Sequence, residues 1–358
     1  MDEKILKCDR WLDRSGPQEG VVMSTRARYA RNLPAVPFPR RAREADLRSV
    51  FERVSRAVDH NSEFAGGYRF AMSSLAEEER QYLREARLIS AEMEKTPRHR
   101  GLFVSADMRQ GVMVNEEDHL RLYALEAGFR PYEALQQVIE LETALARDLP
   151  FAFSPKFGYL TACTTNTGTG LRVSALVHLP GLSLLQQMRG IVGWLRREGM
   201  TARGFYGENT ENHGGFFQVS NEVTLGRDER QIVDTFSQVI EHIIDQESEA
   251  RQRLARQSPV EDRIWRACGI LSHARLVSTN EAMELLALVR LGIDMHVIHH
   301  IPHAELNKLV VAIQPAHVRA GVAILARESG YQGQAESEEE VRDRARAQIL
   351  RQRFRGAV

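Results

Sequence analysis

Residues 102–126 read LFVSADMRQGVMVNEEDHLRLYALE. Three short runs of β-type residues, 102–105, 111–114 and 120–126, follow one another here with no helical stretch between them. Strands that adjoin in this way pair antiparallel, which predicts a largely antiparallel sheet and not a doubly wound parallel one. Further β-type runs at 157–162, 171–179, 205–206 and 216–220 extend the pattern, and helical spacing recurs at 75–86, 132–147, 182–198 and 228–256. Beyond the Ser258-Pro259 break the β-type patterning stops. Apolar residues then recur at helical spacing through 264–274, 279–290, 304–313, 316–326 and 338–354. The expectation is an α+β domain over residues 1–255, its antiparallel sheet flanked by helices, and an all-helical domain over 256–358.

A chain of 358 residues exceeds the usual limit of one hydrophobic core, in keeping with two domains. Its 48 basic and 48 acidic residues cancel, so no global field steers it toward nucleic acid or an anionic membrane. Nearly all the basic residues are arginines; the lysines are Lys4, Lys7, Lys95, Lys156 and Lys308. Cys8, Cys163 and Cys268 are too few and too scattered for a disulfide framework or a zinc site, and a reducing cytoplasm fits them. The opening MDEKILKCDRWLDRSGP lacks the apolar core of a signal peptide, and no apolar run is long enough to span a bilayer.

Four segments concentrate chemistry. In Ser24-Thr25-Arg26-Ala27-Arg28, an extended backbone points Arg26 and Arg28 to one side, where two guanidinium forks suit a polyphosphate; a surface strand can carry such a pair for no reason but solubility. Asn115-Glu116-Glu117-Asp118-His119-Leu120-Arg121 places three acids, a histidine and an arginine at a strand end, which holds a carboxylate more firmly than a loop. An acidic turn is the plainer alternative. Cys163-Thr164-Thr165-Asn166-Thr167-Gly168-Thr169-Gly170-Leu171-Arg172 is a hydroxyl- and glycine-rich loop between two apolar runs. Its glycines permit an anion to approach the backbone, and the Thr164 and Thr165 hydroxyls could stabilise a Cys163 thiolate, unless the cysteine is simply buried. Arg203-Gly204-Phe205-Tyr206-Gly207-Glu208 pairs an arginine with a carboxylate in a glycine-flanked segment. Together these segments offer Arg26, Arg28, Arg121, Arg172 and Arg203 to phosphates, and Glu117 and Glu208 to a cation.

The blocks STRAR, NEEDHLR, CTTNTGTGLR and RGFYGE, followed by QVSN, resemble in order and spacing the catalytic domain of the phosphagen kinases, the family of creatine and arginine kinases. Three features bring the chain nearest the bacterial protein-arginine kinases within that family. STRAR begins at Ser24, without the N-terminal helical domain of the small-guanidine enzymes. A helical domain follows Pro259. That domain carries Arg342-Asp343-Arg344-Ala345-Arg346-Ala347, similar to the RDxxRA motif of a phosphoarginine pocket.

The resemblance implies transfer of the γ-phosphoryl group of ATP, with Mg²⁺, to arginine side chains of proteins. It implies ATP contacts from Ser24, Thr25, Arg26, Ala27 and Arg28, from Arg121, from Arg172, Val173, Ser174, Ala175 and Leu176, and from Arg203, Gly204, Phe205, Tyr206, Gly207 and Glu208. Glu117 and Glu208 would grip the acceptor guanidinium, with Glu117 as base, and Cys163 would sit beside it. Arg342, Asp343, Arg344, Ala345, Arg346 and Ala347 would form an allosteric phosphoarginine pocket.

By the same resemblance the chain forms a homodimer, works in stress response and protein quality control, and meets an activator of the McsA type and the ClpC and ClpP proteolytic machinery. Two positions depart from the family: Thr164 stands where a proline usually follows the cysteine, and Arg87 stands in the ARLIS segment where a histidine is expected near the nucleotide. A kinase of free arginine or another small guanidino compound is the enzymatic alternative, separated by product identity. A nonenzymatic phosphoarginine-binding adaptor is the alternative of another class, separated by ATP consumption. His296, His299, His300 and His303 fall at helical spacing, but Pro302 interrupts the turn and packing is expected of them, not metal binding. Trp11, Trp194 and Trp265 are read as packing residues.

Overall fold

The computed structural model describes residues 3–205, 214–299, 301–329 and 337–355, with residues 323–329 described by backbone alone. The chain opens with β1 (Val22–Arg31), α1 (Glu44–Asp59), β2 (Tyr68–Ala71), α2 (Glu77–Glu85), α3 (Ala91–Lys95), β3 (Gly101–Val104), β4 (Gln110–Val114) and β5 (Leu120–Ala127). Next come α4 (Pro131–Ala146), β6 (Phe153–Ser154), β7 (Gly158–Tyr159), β8 (Leu171–His178), α5 (Pro180–Leu184), α6 (Met188–Arg197), β9 (Met200–Arg203), β10 (Phe216–Asn221) and α7 (Glu229–Leu254). Five helices follow: α8 (Ser258–His273), α9 (Thr279–Asp294), α10 (His303–Ala312), α11 (Pro315–Ser329) and α12 (Glu338–Phe354). No helix among the described residues is long and apolar enough to cross a membrane.

Among the described residues eight strands form one sheet in the order β2-β3-β4-β5-β1-β8-β10-β9, and every neighbouring pair is antiparallel. The sheet's two faces differ in what covers them. Ala27 and Tyr29 of β1, Leu122 and Ala124 of β5, and Val173 and Ala175 of β8 pack on one face against Val50 and Val54 of α1, Val138 and Leu141 of α4, and Phe236 and Ile240 of α7. Helix α7 is both capped and amphipathic. Asp228 accepts from the Gln231 amide at 2.7 Å, Gln231 returns a bond to the Asp228 amide at 3.1 Å, and apolar side chains recur each turn from Ile232 to Ile244. Full burial of a side chain such as Phe236 contributes roughly 1.5–3 kcal/mol.

The opposite face is covered in two zones. Around Met23, Met113 and Leu176 an apolar cluster runs without a break into Ile264 of α8, Leu286 of α9 and Leu350 of α12, so the C-terminal helices rest on the sheet domain. Buried polar bonds reinforce the junction. Arg251 of α7 pairs with Glu247 at 2.7 Å and with Asp294 of α9, and donates to the carbonyl of His178 at 3.1 Å. Arg290 of α9 donates to the Glu19 carbonyl and to Asn307 of α10. The rest of this face is left to polar side chains.

Several boundaries differ from expectation. The run 157–162 is not a strand of the main sheet. Gly158, at φ +74°, turns the chain so that β7 pairs only with β6, while the Tyr159 and Leu160 amides bond to Gly168 and Ala152. The single helix expected over 182–198 is two, α5 and α6, separated at Gln186, whose φ is +58°. The strand expected at 205–206 lies earlier, at Met200–Arg203, where it pairs with β10; Tyr206 falls outside the described residues. Strands β1, β2 and β6 and helices α1 and α3 are additional to the expected set.

Candidate active site

Alternation along β1 divides the first segment between the two faces. Ala27 enters the helix-covered core, and Thr25 bonds to the Gly128 carbonyl and the Arg130 amide, anchoring the turn into α4. Arg26 and Arg28 face the other way. Arg28 stands directly opposite Tyr123 of β5 and Arg172 of β8, and Arg121 lies opposite Ala30 one step along. On β8, Val173 and Ala175 likewise enter the helix-packed core, leaving Arg172 and Ser174 on the arginine face. Arg203 of β9 shares that face, in register with Gln218.

Like charges directly opposite one another destabilise a sheet, so the Arg28–Arg172 pair is unfavourable in isolation. Burial, followed by the guanidiniums of Arg121, Arg26 and Arg172, holds the Arg28 pKa well below its ordinary value. Burial lowers Arg26 to about 10. Arg26 is nevertheless steadied: its guanidinium lies 5.4 Å from the Tyr123 ring centroid and donates to the Arg87 carbonyl. Arg172 donates to the Ser220 hydroxyl at 3.0 Å and 3.2 Å. Arg28 makes no hydrogen bond or ion pair with a described residue. A row of cations held in place, one of them without a described partner, is the donor set that a multiply charged anion requires.

Arg87, the departure in the ARLIS segment, is brought to this face. It follows the end of α2 in the left-handed region, at φ +65°, which turns its carbonyl toward Arg26, and its guanidinium lies 5.7 Å from the Phe205 ring centroid.

At the sheet end beyond Arg121 lie the acids. Glu116 is buried and accepts from Arg121 at 2.8 Å, from the Ser90 hydroxyl at 2.6 Å and from the Glu117 amide at 3.0 Å. Those bonds outweigh the cost of burial and lower its pKa. Glu117 is different: burial raises its pKa, with Asp118 and Glu116 adding to the rise and Arg121 opposing it at 3.3 Å. A half-buried carboxyl with raised basicity is suited to accepting a proton. His119 has a structural position. Its Nδ1 accepts from the Leu33 amide at 3.1 Å, and its Nε2 donates to the Pro37 carbonyl at 3.0 Å.

Asp118 joins this turn to the cysteine loop. One carboxylate oxygen accepts both the Ala162 amide at 2.7 Å and the Asn32 side-chain amide at 2.6 Å. Glu117 and Cys163 therefore sit one residue to either side of a short, partly buried bond. The loop's far end is tied by Thr224, whose hydroxyl reaches the carbonyls of Thr165 and Thr167 at 2.9 Å and 2.7 Å. Gly168 has φ +112°, and a Cβ there would lie 2.7 Å from the Thr224 carbonyl oxygen, so the glycine is required by the approach. The Cys163 sulfur is partly exposed and lies 3.0 Å from the Thr165 hydroxyl, one of the two hydroxyls considered for it.

Glu208, Tyr206 and Gly207 lie outside the described residues. Asn32, Ser90, Tyr123, Ser220 and Thr224 support the site from positions whose partners lie up to 128 residues away, although Asn32 follows β1 directly and Ser220 belongs to the QVSN stretch. In α12, Arg346 is buried and donates to the Ile313 carbonyl at 2.8 Å, the Val277 carbonyl at 2.8 Å and Asp343 at 2.5 Å. Arg344 pairs with Glu340 on the surface, and Arg342 is partly exposed. His303 pairs with Asp294 at 2.8 Å, His296 lies just beyond α9, and His300 is outside the described residues. Among the described residues no group of three or more His, Cys, Asp or Glu is placed to hold a metal ion.

Residues 49–250 match the family described as ATP:guanido phosphotransferase, C-terminal catalytic domain. The chain is thus an ATP:guanido phosphotransferase by class. A duplicated taurocyamine kinase from Schistosoma mansoni, solved with bound transition state analog components, superimposes with TM-score 0.59 at 27% identity over 65% of this chain; the chain spans 34% of that duplicated protein. A lombricine kinase shares the fold at TM-score 0.57 and 22% identity, over 67% of this chain and 75% of that one.

Residues 257–357 match the protein-arginine kinase McsB C-terminal domain. Protein-arginine kinases of Moorella thermoacetica and Syntrophomonas wolfei are 41% and 39% identical to the chain, over 89% and 96% of its length and 93% and 94% of theirs. The chain belongs to the protein-arginine kinase family.

Proposed function

We propose that this enzyme phosphorylates arginine side chains of proteins with MgATP, the triphosphate lying along the arginine face and the acceptor guanidinium entering between Glu117 and Cys163. The observation that carries the reading is the set of arginines facing one way from β1, β5 and β8, with Arg28 opposed to Arg172 and without a described partner of its own. A triphosphate converts that repulsion into attraction. Arg26, Arg28, Arg121, Arg172 and Arg203 are the phosphate-binding residues, and Ser24, Ser174, Leu176, Arg87 and Phe205 complete the nucleotide site. Mg²⁺ bound with the nucleotide would neutralise part of the charge on the phosphates.

An arginine guanidinium is protonated at neutral pH and has no free lone pair, so it attacks phosphorus only as a proton leaves. Glu117 accepts that proton while its carboxylate holds the guanidinium plane; its raised basicity supports this role. Glu208 is the second carboxylate of the grip. Cys163, hydrogen-bonded to Thr165 and held beside Glu117 through Asp118, stabilises charge at the acceptor nitrogen without forming a covalent intermediate. The arginines keep donor and acceptor in line and stabilise charge on the transferring group.

Around this chemistry, residues 1–255 form the catalytic unit and residues 256–358 the regulatory and dimerising one, with Arg342, Asp343, Arg344, Ala345, Arg346 and Ala347 at a phosphoarginine pocket. The setting is the cytoplasm. There an activator of the McsA type and the ClpC/ClpP protease connect the mark to protein quality control. The test is direct: incubate the enzyme with ATP and casein or free arginine, and look for acid-labile phosphoarginine by mass spectrometry. Label on protein is expected, with Glu117→Ala inactive and Cys163→Ser severely slowed. Wild-type turnover in Glu117→Ala, or label on free arginine alone, refutes the reading.

A further inference from the structure

Glu85, the last residue of α2, is 1% exposed and lies at the contact between the sheet domain and the C-terminal helices. Its carboxylate accepts the backbone amides of Ala316 at 3.0 Å and His317 at 3.2 Å, and the His317 Nδ1 donates to it at 2.9 Å. Ala316 and His317 belong to the first turn of α11, where backbone N–H groups have no partner inside the helix. Glu85 therefore caps α11 from another domain, 231 residues away in sequence. The His317 ring stacks on Tyr82 of α2 at 3.7 Å, which fixes the two helices at this point.

The carboxylate lies two residues before the nucleotide face. Ala86 has its carbonyl held by the Trp11 indole at 3.0 Å, and Arg87 turns its own carbonyl to the Arg26 guanidinium. On the other side, the chain enters α11 from Ile313, whose carbonyl is held by Arg346 of α12. A continuous series of bonds thus runs from α12 through the start of α11 to Glu85, along the end of α2, and to Arg26.

We infer that Glu85 is a positioning residue for phosphoryl transfer, through which the seating of α11 sets the Arg87 carbonyl and hence the direction of Arg26 toward the nucleotide. The inference rests on the assignment of Arg26 to the nucleotide site. Coupling of this kind is reciprocal: if α11 orders Arg26, nucleotide bound at Arg26 orders the start of α11.

Two measurements test it. In the wild-type full chain, ADP should slow hydrogen exchange at the Ala316 and His317 amides, because Glu85 is their acceptor; unchanged exchange there overturns the proposal even if no variant folds. In Glu85→Gln, one acceptor oxygen is replaced by a donor facing donors, and the ATP KM should rise about tenfold with the protein-acceptor KM unchanged. Placed on an Arg26→Ala background, the same substitution should change the ATP KM less than twofold, since its effect passes through Arg26. A tenfold rise in both backgrounds would show Glu85 to be structural only. If Arg26→Ala itself binds ATP like the wild type, the nucleotide assignment fails and the coupling with it. An effect of Arg26→Ala alone, with none from Glu85→Gln, refutes the coupling and leaves the assignment standing.

Discussion

Asp118 is the residue whose replacement separates geometry from charge at this site. Its one bonded oxygen holds Ala162 and Asn32, while the other oxygen is buried without a partner. Asp118→Ala removes the acceptor and leaves two donors without it, the Asn32 amide buried and the Ala162 N–H partly so, although Asn32 keeps its bond to the Leu160 carbonyl at 3.0 Å. At about 1–3 kcal/mol for each stranded group, the loss of stability is about 2–5 kcal/mol. The cysteine loop also loses its tie to Glu117, and a shift of about 1 Å in a reacting constellation costs on the order of a hundredfold in rate. The arginine face makes no bond to Asp118, so the ATP KM should stay within about twofold of the wild type.

Asp118→Asn should behave differently. The amide oxygen still accepts from Ala162 and Asn32, and the new NH₂ occupies the place of the unpartnered oxygen, so the rate at neutral pH should fall less than about tenfold. What changes is charge. Asp118 is one of the groups that raise the Glu117 pKa, and removing it lowers that pKa. Because a base must be deprotonated to act, the acid limb of kcat/KM should move to lower pH. Initial rates of protein phosphorylation between pH 5 and pH 8 provide the measurement, on the order of a dozen points with thermal melts alongside. A wild-type rate in Asp118→Ala, or an acid limb in Asp118→Asn that stays put or moves upward, would refute the link between the two carboxyls.

Two further substitutions have outcomes that follow from partners alone. Arg28→Ala should raise the ATP KM by roughly 10- to 100-fold through loss of a charge-assisted bond, yet leave the melting temperature of the nucleotide-free protein unchanged or higher, because it removes a repelled cation. Isothermal titration and calorimetric melts check both signs. Arg346→Ala strands two buried carbonyls and Asp343, and should destabilise the chain by roughly 3–5 kcal/mol, with hydrogen exchange rising first at 275–279 and 311–315.

How much of this was legible in the sequence depends on the range over which each feature is decided. Strands β3, β4 and β5 could be read because alternation and short turns are local, and so could the common side of Arg26 and Arg28. The break between α5 and α6 could not. It falls at Gln186, a residue with no intrinsic preference for the left-handed backbone it adopts, and tertiary packing determines it. Helix α1 did carry a signal: Val50, Val54, Ala57 and Val58 recur at helical spacing and are buried.

The arginines show the limit most sharply. Arg28 and Arg346 each stand in a short arginine-rich motif, and nothing local distinguishes them. Packing gives them different circumstances: Arg28 faces three other guanidiniums, relieved only in part by Glu116, and makes no hydrogen bond or ion pair with a described residue, whereas Arg346 is enclosed with two backbone carbonyls and a carboxylate. An arginine whose donors are filled by its own chain holds helices together. One whose donors are kept open at a cost in electrostatic repulsion is arranged for an anion that arrives from outside, and that asymmetry is what makes the arginine face of the sheet a binding surface.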